Sequence, residues 1–370
     1  MSHSEFQKAV KVENVDKIRQ IIAEKDVDLD HFDHHGYTAL HNAVMNQNED
    51  MVRALLELPE EAATTKKANC NLQDKAQNGW TPLIHAISNI PANSNHKILY
   101  LLVSHGADPN ATGKDGMAPI HWAIELDQTS TIDFLLIHKA NVELRAPMGD
   151  TPLILSARSD QLSCFEFLIK RGANFLAYND DRENCLHVAI DEKNTQITSF
   201  LLEYLKDDTL DQSQVASLIT SIDSNGNTPA HVAALKGSST VADALYKMSG
   251  FDQDIKNNDD MTVPELKKFV AQEKADNAMR RQKEKEEQRQ QARRRKQETK
   301  QAEQESWKEE EDKYQKEKRQ MMERAAGGGQ KQENGSTSGL LIFGILVLAF
   351  VALYGFLNFM TRKEERIIYQ

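Results

Sequence analysis

A six-residue pattern recurs six times along the first two thirds of this 370-residue chain. It reads Gly36-Tyr-Thr-Ala-Leu-His, Gly79-Trp-Thr-Pro-Leu-Ile, Gly116-Met-Ala-Pro-Ile-His, Gly149-Asp-Thr-Pro-Leu-Ile, Arg182-Glu-Asn-Cys-Leu-His and Gly226-Asn-Thr-Pro-Ala-His. The copies start 43, 37, 33, 33 and 44 residues apart. A period near 33 cannot enclose a core of its own. Each unit buries its apolar face only by stacking on neighbours, so the chain must form a solenoid of helix pairs.

The local chemistry of each copy supports this. Gly permits the turn that ends a hairpin. Thr caps a helix, and Pro fills its first turn, where a missing N–H costs nothing. A second, more apolar helix follows, as in Ile132-Asp-Phe-Leu-Leu-Ile137, and ends at Gly106-Ala-Asp, Lys139-Ala-Asn or Gly172-Ala-Asn. These motifs resemble the ankyrin-repeat family over about residues 4–272. The resemblance implies an all-α solenoid whose helix pairs are joined by β-hairpin loops. Residues 1–35 read as an N-terminal capping repeat. Six repeats follow at 36–78, 79–115, 116–148, 149–181, 182–225 and 226–259, with a C-terminal cap at 260–272.

Departures from the pattern carry their own expectations. Arg182 replaces Gly in repeat five and predicts a distorted turn. Ala118 replaces Thr in repeat three and loses a cap worth about 1 kcal/mol. Ile84 and Ile154 stand where His is usual. The long intervals place insertions near 59–72, 88–96 and 205–220, which solenoids carry as loops.

The composition then changes. Residues 1–272 hold a net charge of −15, whereas residues 273–325 hold +3 and contain no Gly or Pro. As a helix, 273–325 spans about 80 Å. Pairs such as Arg280 with Glu284 and Glu309 with Lys313 support it at i,i+4. Trp307, Tyr314 and Met321 keep a seven-residue step, so the segment is a charged single helix or a coiled coil. A Gly/Ser-rich linker covers 326–339. Residues 340–360 lack any charge over a length that spans a bilayer core of about 30 Å. With only the tail 361–370 after it, the chain resembles a tail-anchored protein. That implies an N-terminal part in the cytosol and a single-pass anchor in the endoplasmic reticulum or a secretory membrane, rather than the mitochondrial outer membrane.

Catalytic signatures are absent: no phosphate-binding loop, no Gly-x-Ser-x-Gly, no His-Glu-x-x-His. The chain reads as a non-enzyme without cofactor or metal. Cys70, Cys164 and Cys185 are odd in number and scattered, which fits a reducing compartment and neither a disulfide framework nor a zinc site. His31, His34 and His35 with Asp30 and Asp33 read as a solvated loop. The family resemblance implies that His41, His121, His187 and His231 bond backbone between adjacent repeats.

It also implies that the residue after each Gly projects towards the concave groove. Those residues are Tyr37, Trp80, Met117, Asp150, Glu183 and Asn227. They predict an apolar recognition strip continued by an acidic one, suited to a protein partner with a basic segment. Trp122 reads as core. The acidic body disfavours nucleic acid, and no small-molecule ligand is expected. Arg293-Arg-Arg-Lys296 reads as a solvated helix face. The function that follows is a membrane-tethered scaffold binding a partner in the groove. The alternatives are a membrane-held regulator released by proteolysis to the nucleus, or a host-directed effector of an intracellular bacterium.

Overall fold

The computed structural model describes residues 2–58, 67–76, 78–89, 96–207 and 209–327. The insertions at 59–66 and 90–95 lie outside these residues. So do most of the linker (328–339), the apolar run 340–360 and the tail 361–370.

Helices come in pairs. α1 (Ser2–Lys11) and α2 (Val15–Glu24) form the N-terminal pair. Then follow α3 (Ala39–Met45) with α4 (Glu49–Leu56), α5 (Pro82–Ser88) with α6 (Lys97–Ser104), and α7 (Pro119–Glu125) with α8 (Thr129–Ile137). α9 (Pro152–Arg158) pairs with α10 (Leu162–Lys170), and α11 (Cys185–Asp191) with α12 (Thr195–Tyr204). α13 (Gln212–Thr220) precedes the last pair, α14 (Pro229–Leu235) with α15 (Ser239–Tyr246), and α16 runs from Val263 to Gly327.

The first helix of each repeat is seven residues long and almost wholly buried, as in Pro82–Ile87 and Pro152–Ala157. A helix that is apolar all round needs neighbours on every side. α3, α5, α7, α9, α11 and α14 supply them by packing in series. The second helices close the other layer, each burying one face, such as Leu99, Leu101 and Leu102 of α6. Buried apolar residues run without a break from Phe6 to Leu266, so the core extends along the stack.

Among the described residues no strand forms, which corrects the expected β-hairpins. The turn closes, for example with Asp33 O accepting from Gly36 N at 3.1 Å, but consecutive tips share at most one backbone bond. Lys75 N donates to Gly36 O at 2.8 Å and Lys114 N to Asn78 O at 2.9 Å. One bond per repeat is too little to build a ladder.

Two further expectations change. The insertion at 205–220 is not all loop: α13 occupies 212–220 of it, burying Val215, Leu218 and Ile219 and packing on α14. The turn at Arg182 is not distorted either. Arg182 adopts φ +61°, and its N–H donates to Asn179 O at 3.0 Å as Gly36 N does to Asp33 O.

Contacts divide the chain into two units, 1–278 and 279–370. The expected boundary at 272/273 has no break in secondary structure, because α16 begins at Val263 within the C-terminal cap. Val263 and Leu266 are buried, whereas nearly every described side chain from 271 onward is exposed. Among the described residues no helix is long and apolar enough to cross a membrane.

Candidate partner-binding surface

Most repeats fix the turn before their first helix with an Asp or Asn side chain; repeats three and four have Gly113 and Ala146 there instead. Asp33 accepts from Tyr37 N at 3.0 Å and His35 N at 2.9 Å. Asn179, Asp223 and Asn257 accept from backbone N–H groups of their own tips in the same way. The helix that follows is capped by Thr or Asn: Thr38, Thr81, Thr151, Asn184 and Thr228 accept from the N–H three residues on. Ala118 offers no such cap.

The histidines knit repeats together. His41 Nδ1 accepts from the Thr38 backbone N–H at 3.3 Å and hydroxyl at 2.8 Å. The imidazole is therefore the tautomer whose Nε2–H donates to Trp80 O in the next repeat, at 3.1 Å. His121 reaches Leu144 O at 2.8 Å, His187 reaches Asn227 O at 3.0 Å and His231 reaches Met261 O at 3.1 Å. Burial pushes the pKa of His41 and His187 down to about 4.

Repeat two shifts this scheme by one residue. Ile84 takes the His position, and His85 beside it sends Nε2 to the buried Asp74, 2.8 Å away. Asp74 also accepts from Gly79 N and Trp80 N. Burial lowers the His85 pKa against the opposing pull of Asp74. His41, Asp74 and His85 bring ligand atoms within 4.8 Å of one another. Both nitrogens of His41 are already committed to hydrogen bonds, so the cluster serves to clamp the two repeats.

Around this clamp lies an aromatic surface. The Tyr37 ring stands edge-on to His85 at 5.8 Å, and His85 stands 5.3 Å from Trp80. Trp80 meets Trp122 at 4.7 Å, and its indole N–H donates to Asp115 at 2.8 Å. Tyr37, Trp80 and Trp122 are each only part buried, so they pack together and still face solvent. Trp122 packs against the core, as expected, and also adjoins this surface; its Nε1 is buried without a hydrogen-bond partner. Gly113 makes room for the indole: a Cβ there would sit 2.9 Å from Trp80 Cδ1. Met117, at the tip of repeat three, is part buried against the core.

The expected acidic strip is different. Asp150 does not project into solvent; it is 1% exposed. Its carboxylate accepts from Arg158 Nε at 2.6 Å and from Asn179 at 3.1 Å. Arg158 also donates to Glu192 at 2.9 Å and lies 3.9 Å from Glu183. Its pKa is raised, first by Asp150. Burial raises the Glu183 pKa, and Asn179 donates to its carboxylate at 3.0 Å. Asn227 is also buried, accepting from Asn257 at 3.1 Å. A carboxylate cannot stay buried and unpaired, so the cation that the sequence assigned to a partner is supplied internally by Arg158.

The sequence missed His85, Asp74 and Arg158. The signal for the first was the His directly after Ile84. No spacing rule pointed to Arg158, because its partner lies eight residues away, at the opposite end of α9.

A family model described as "Ankyrin repeats (3 copies)" matches residues 6–113, 60–146, 92–179 and 175–259, together residues 6–259. Rabankyrin-5 of Mus musculus is 29% identical over 209 residues, covering 55% of this chain and 17% of that protein. The nuclear factor NF-kappa-B p105 subunit of Gallus gallus is 25% identical over 229 residues, covering 61% of this chain and 21% of that protein. The match therefore spans about a fifth of the length of these relatives. The crystal structure of the ankyrin repeat domain of Bcl-3 superposes with a TM-score of 0.53 at 22% identity, covering 65% of this chain and 97% of that domain. With the repeated caps, clamps and hairpins, the family match leads to one conclusion: this chain belongs to the ankyrin-repeat family.

Proposed function

We propose that the chain is a membrane-tethered scaffold that docks a protein partner on repeats one to three. The observation that carries the docking site is the aromatic cluster of Tyr37, Trp80 and Trp122, each part buried, linked through His85 and held by the Asp74–His85 clamp. Rigid, partly solvated aromatics lose little conformational freedom on binding and make strong interface anchors. The buried Arg158–Asp150 pair removes the case for a basic partner segment at repeats four and five. The tether is read from the uncharged run 340–360. It would raise the local concentration of the groove for partners on the same membrane. A non-catalytic role fits the family and the absence of catalytic motifs.

A photo-crosslinking residue at Met117 in the full chain tests this reading, with one at the exposed Ile137 as control. A discrete crosslinked partner from position 117, lost in the Tyr37→Ala/Trp80→Ala variant and absent from position 137, is expected. Equal yields from both positions would sink it.

A further inference from the structure

Residues 281–300 of α16 carry nine Lys and Arg against four Glu, and every side chain among them is exposed. Their distribution around the helix is uneven. Successive residues turn by about 100°, which gathers Arg281, Lys285, Arg289, Arg293, Lys296 and Lys300 on one arc of about 120°. The other residues on that arc are Gln282, Ala292 and Thr299. All four glutamates, Glu284, Glu286, Glu287 and Glu298, fall outside it. The ridge runs straight for about 28 Å.

Like charges four apart along it, Arg281 with Lys285, Lys285 with Arg289 and Arg289 with Arg293, repel one another in an isolated helix. No ion pair among the described residues joins these six cations to an acid. The arrangement is relieved by an external surface of negative charge, and it matches one that is flat and extended.

We infer that this ridge lies on the headgroups of an anionic bilayer. Residues 270–306 contain no aromatic side chain, so the ridge offers no stacking platform for nucleic acid bases. The ridge itself carries no acid and a single amide, Gln282. It carries no large apolar residue either, so contact is electrostatic, by cations at the headgroup level. The choice of a bilayer over another polyanion rests on the tether reading, since the apolar run 340–360 follows on the same chain.

The test uses the full chain with a nitroxide at Ala292→Cys; the native cysteines are buried. The chain is mixed with vesicles of phosphatidylcholine alone or with three tenths phosphatidylserine. Accessibility to a water-soluble nickel chelate should fall about fivefold with the anionic lipid at 0.1 M salt and recover at 0.5 M. The Arg281→Glu/Lys285→Glu/Arg289→Glu variant should lose the effect, and the matching triple Gln variant should lose most of it. Equal accessibility in both vesicles, or protection that persists in the charge-reversed variant, overturns the inference. Protection by duplex RNA or DNA without any response to anionic lipid does so as well. Flotation with neutral vesicles after an alkaline wash reads the tether separately, so the two failures are distinguishable.

Discussion

Arg158 Nε donates to the buried carboxylate of Asp150 at 2.6 Å, and Nη1 of the same guanidinium donates to Glu192 at 2.9 Å. One side chain thereby ties the hairpin of repeat four to the first helix of repeat five. Removing it leaves Asp150 desolvated and without its cation. Arg158→Met should cost about 3 kcal/mol, whereas Asp150→Asn/Arg158→Met together should cost less than the sum of the single changes Asp150→Asn and Arg158→Met. Urea midpoints of the four proteins form the cycle that measures this. Additive losses would refute the coupling.

The buried imidazoles give the fold a one-sided pH dependence. In the unfolded chain a histidine takes up its proton near pH 6.5, but in the stack His41 and His187 do so only at about 4. Between these values the unfolded state binds more protons, so stability is lost as pH falls through that window. Protonating His41 Nδ1 would also remove the acceptor used by Thr38. Each group should contribute a loss on the order of 3 kcal/mol by pH 4. The urea midpoint should be flat above pH 7 and decline below 6.5; a midpoint unchanged from pH 7.5 to 5 would contradict this.

The stack was legible because its constraints are local. Gly36, Thr38 and His41 each fix a turn, a cap and an inter-repeat bond within six residues, and the period repeats them. Helix α13 was not legible, since Val215, Leu218 and Ile219 sit between copies of the pattern with only a short apolar spacing to mark them. The binding face was half legible. Tyr37 and Trp80 stand at the tips that the pattern singles out. Asp150 shares that position in sequence, yet its environment is set by Arg158, and burial of a charge is a tertiary property that no hexapeptide encodes.

The three thiols should be inert in the native state. Cys70, Cys164 and Cys185 are buried, and burial pushes the pKa of Cys70 up to about 11 and that of Cys185 to about 12. The thiolate is the reactive species, so a thiol reagent at pH 8 should label them only through opening of the fold. Labelling of the native protein should be at least a hundredfold slower than in 8 M urea. A comparable rate in both conditions would show that the stack is not closed around them.

Arg182 holds a left-handed backbone conformation that most repeats give to glycine. That strain costs a residue with a Cβ about 1 kcal/mol. Arg182→Gly should therefore raise stability by up to that amount, reduced by the greater freedom glycine has when unfolded. Ala118→Thr should add about 1 kcal/mol by restoring the missing cap. Thermal melts of the two variants and their combination check both, and a loss in either would show that the local argument fails there.

Gly113 is the residue whose smallness shapes the aromatic surface. It stands three residues before Gly116, where other hairpins carry Asp33, Asn179 or Asp223. An added Cβ would lie 2.9 Å from Trp80 Cδ1 and 2.7 Å from Asp115 Oδ1. Asp115 is also the acceptor for the Trp80 indole N–H. Gly113→Ala must push the indole off its seat or shift the hairpin, at a cost of about 1–3 kcal/mol. The Trp80 indole N–H resonance should move, and crosslinking from position 117 should weaken while the fold persists. Tyr37→Phe keeps the ring contact with His85 and should leave crosslinking close to normal. If Gly113→Ala leaves both the resonance and the crosslink in place, the geometry of Trp80 does not set partner docking.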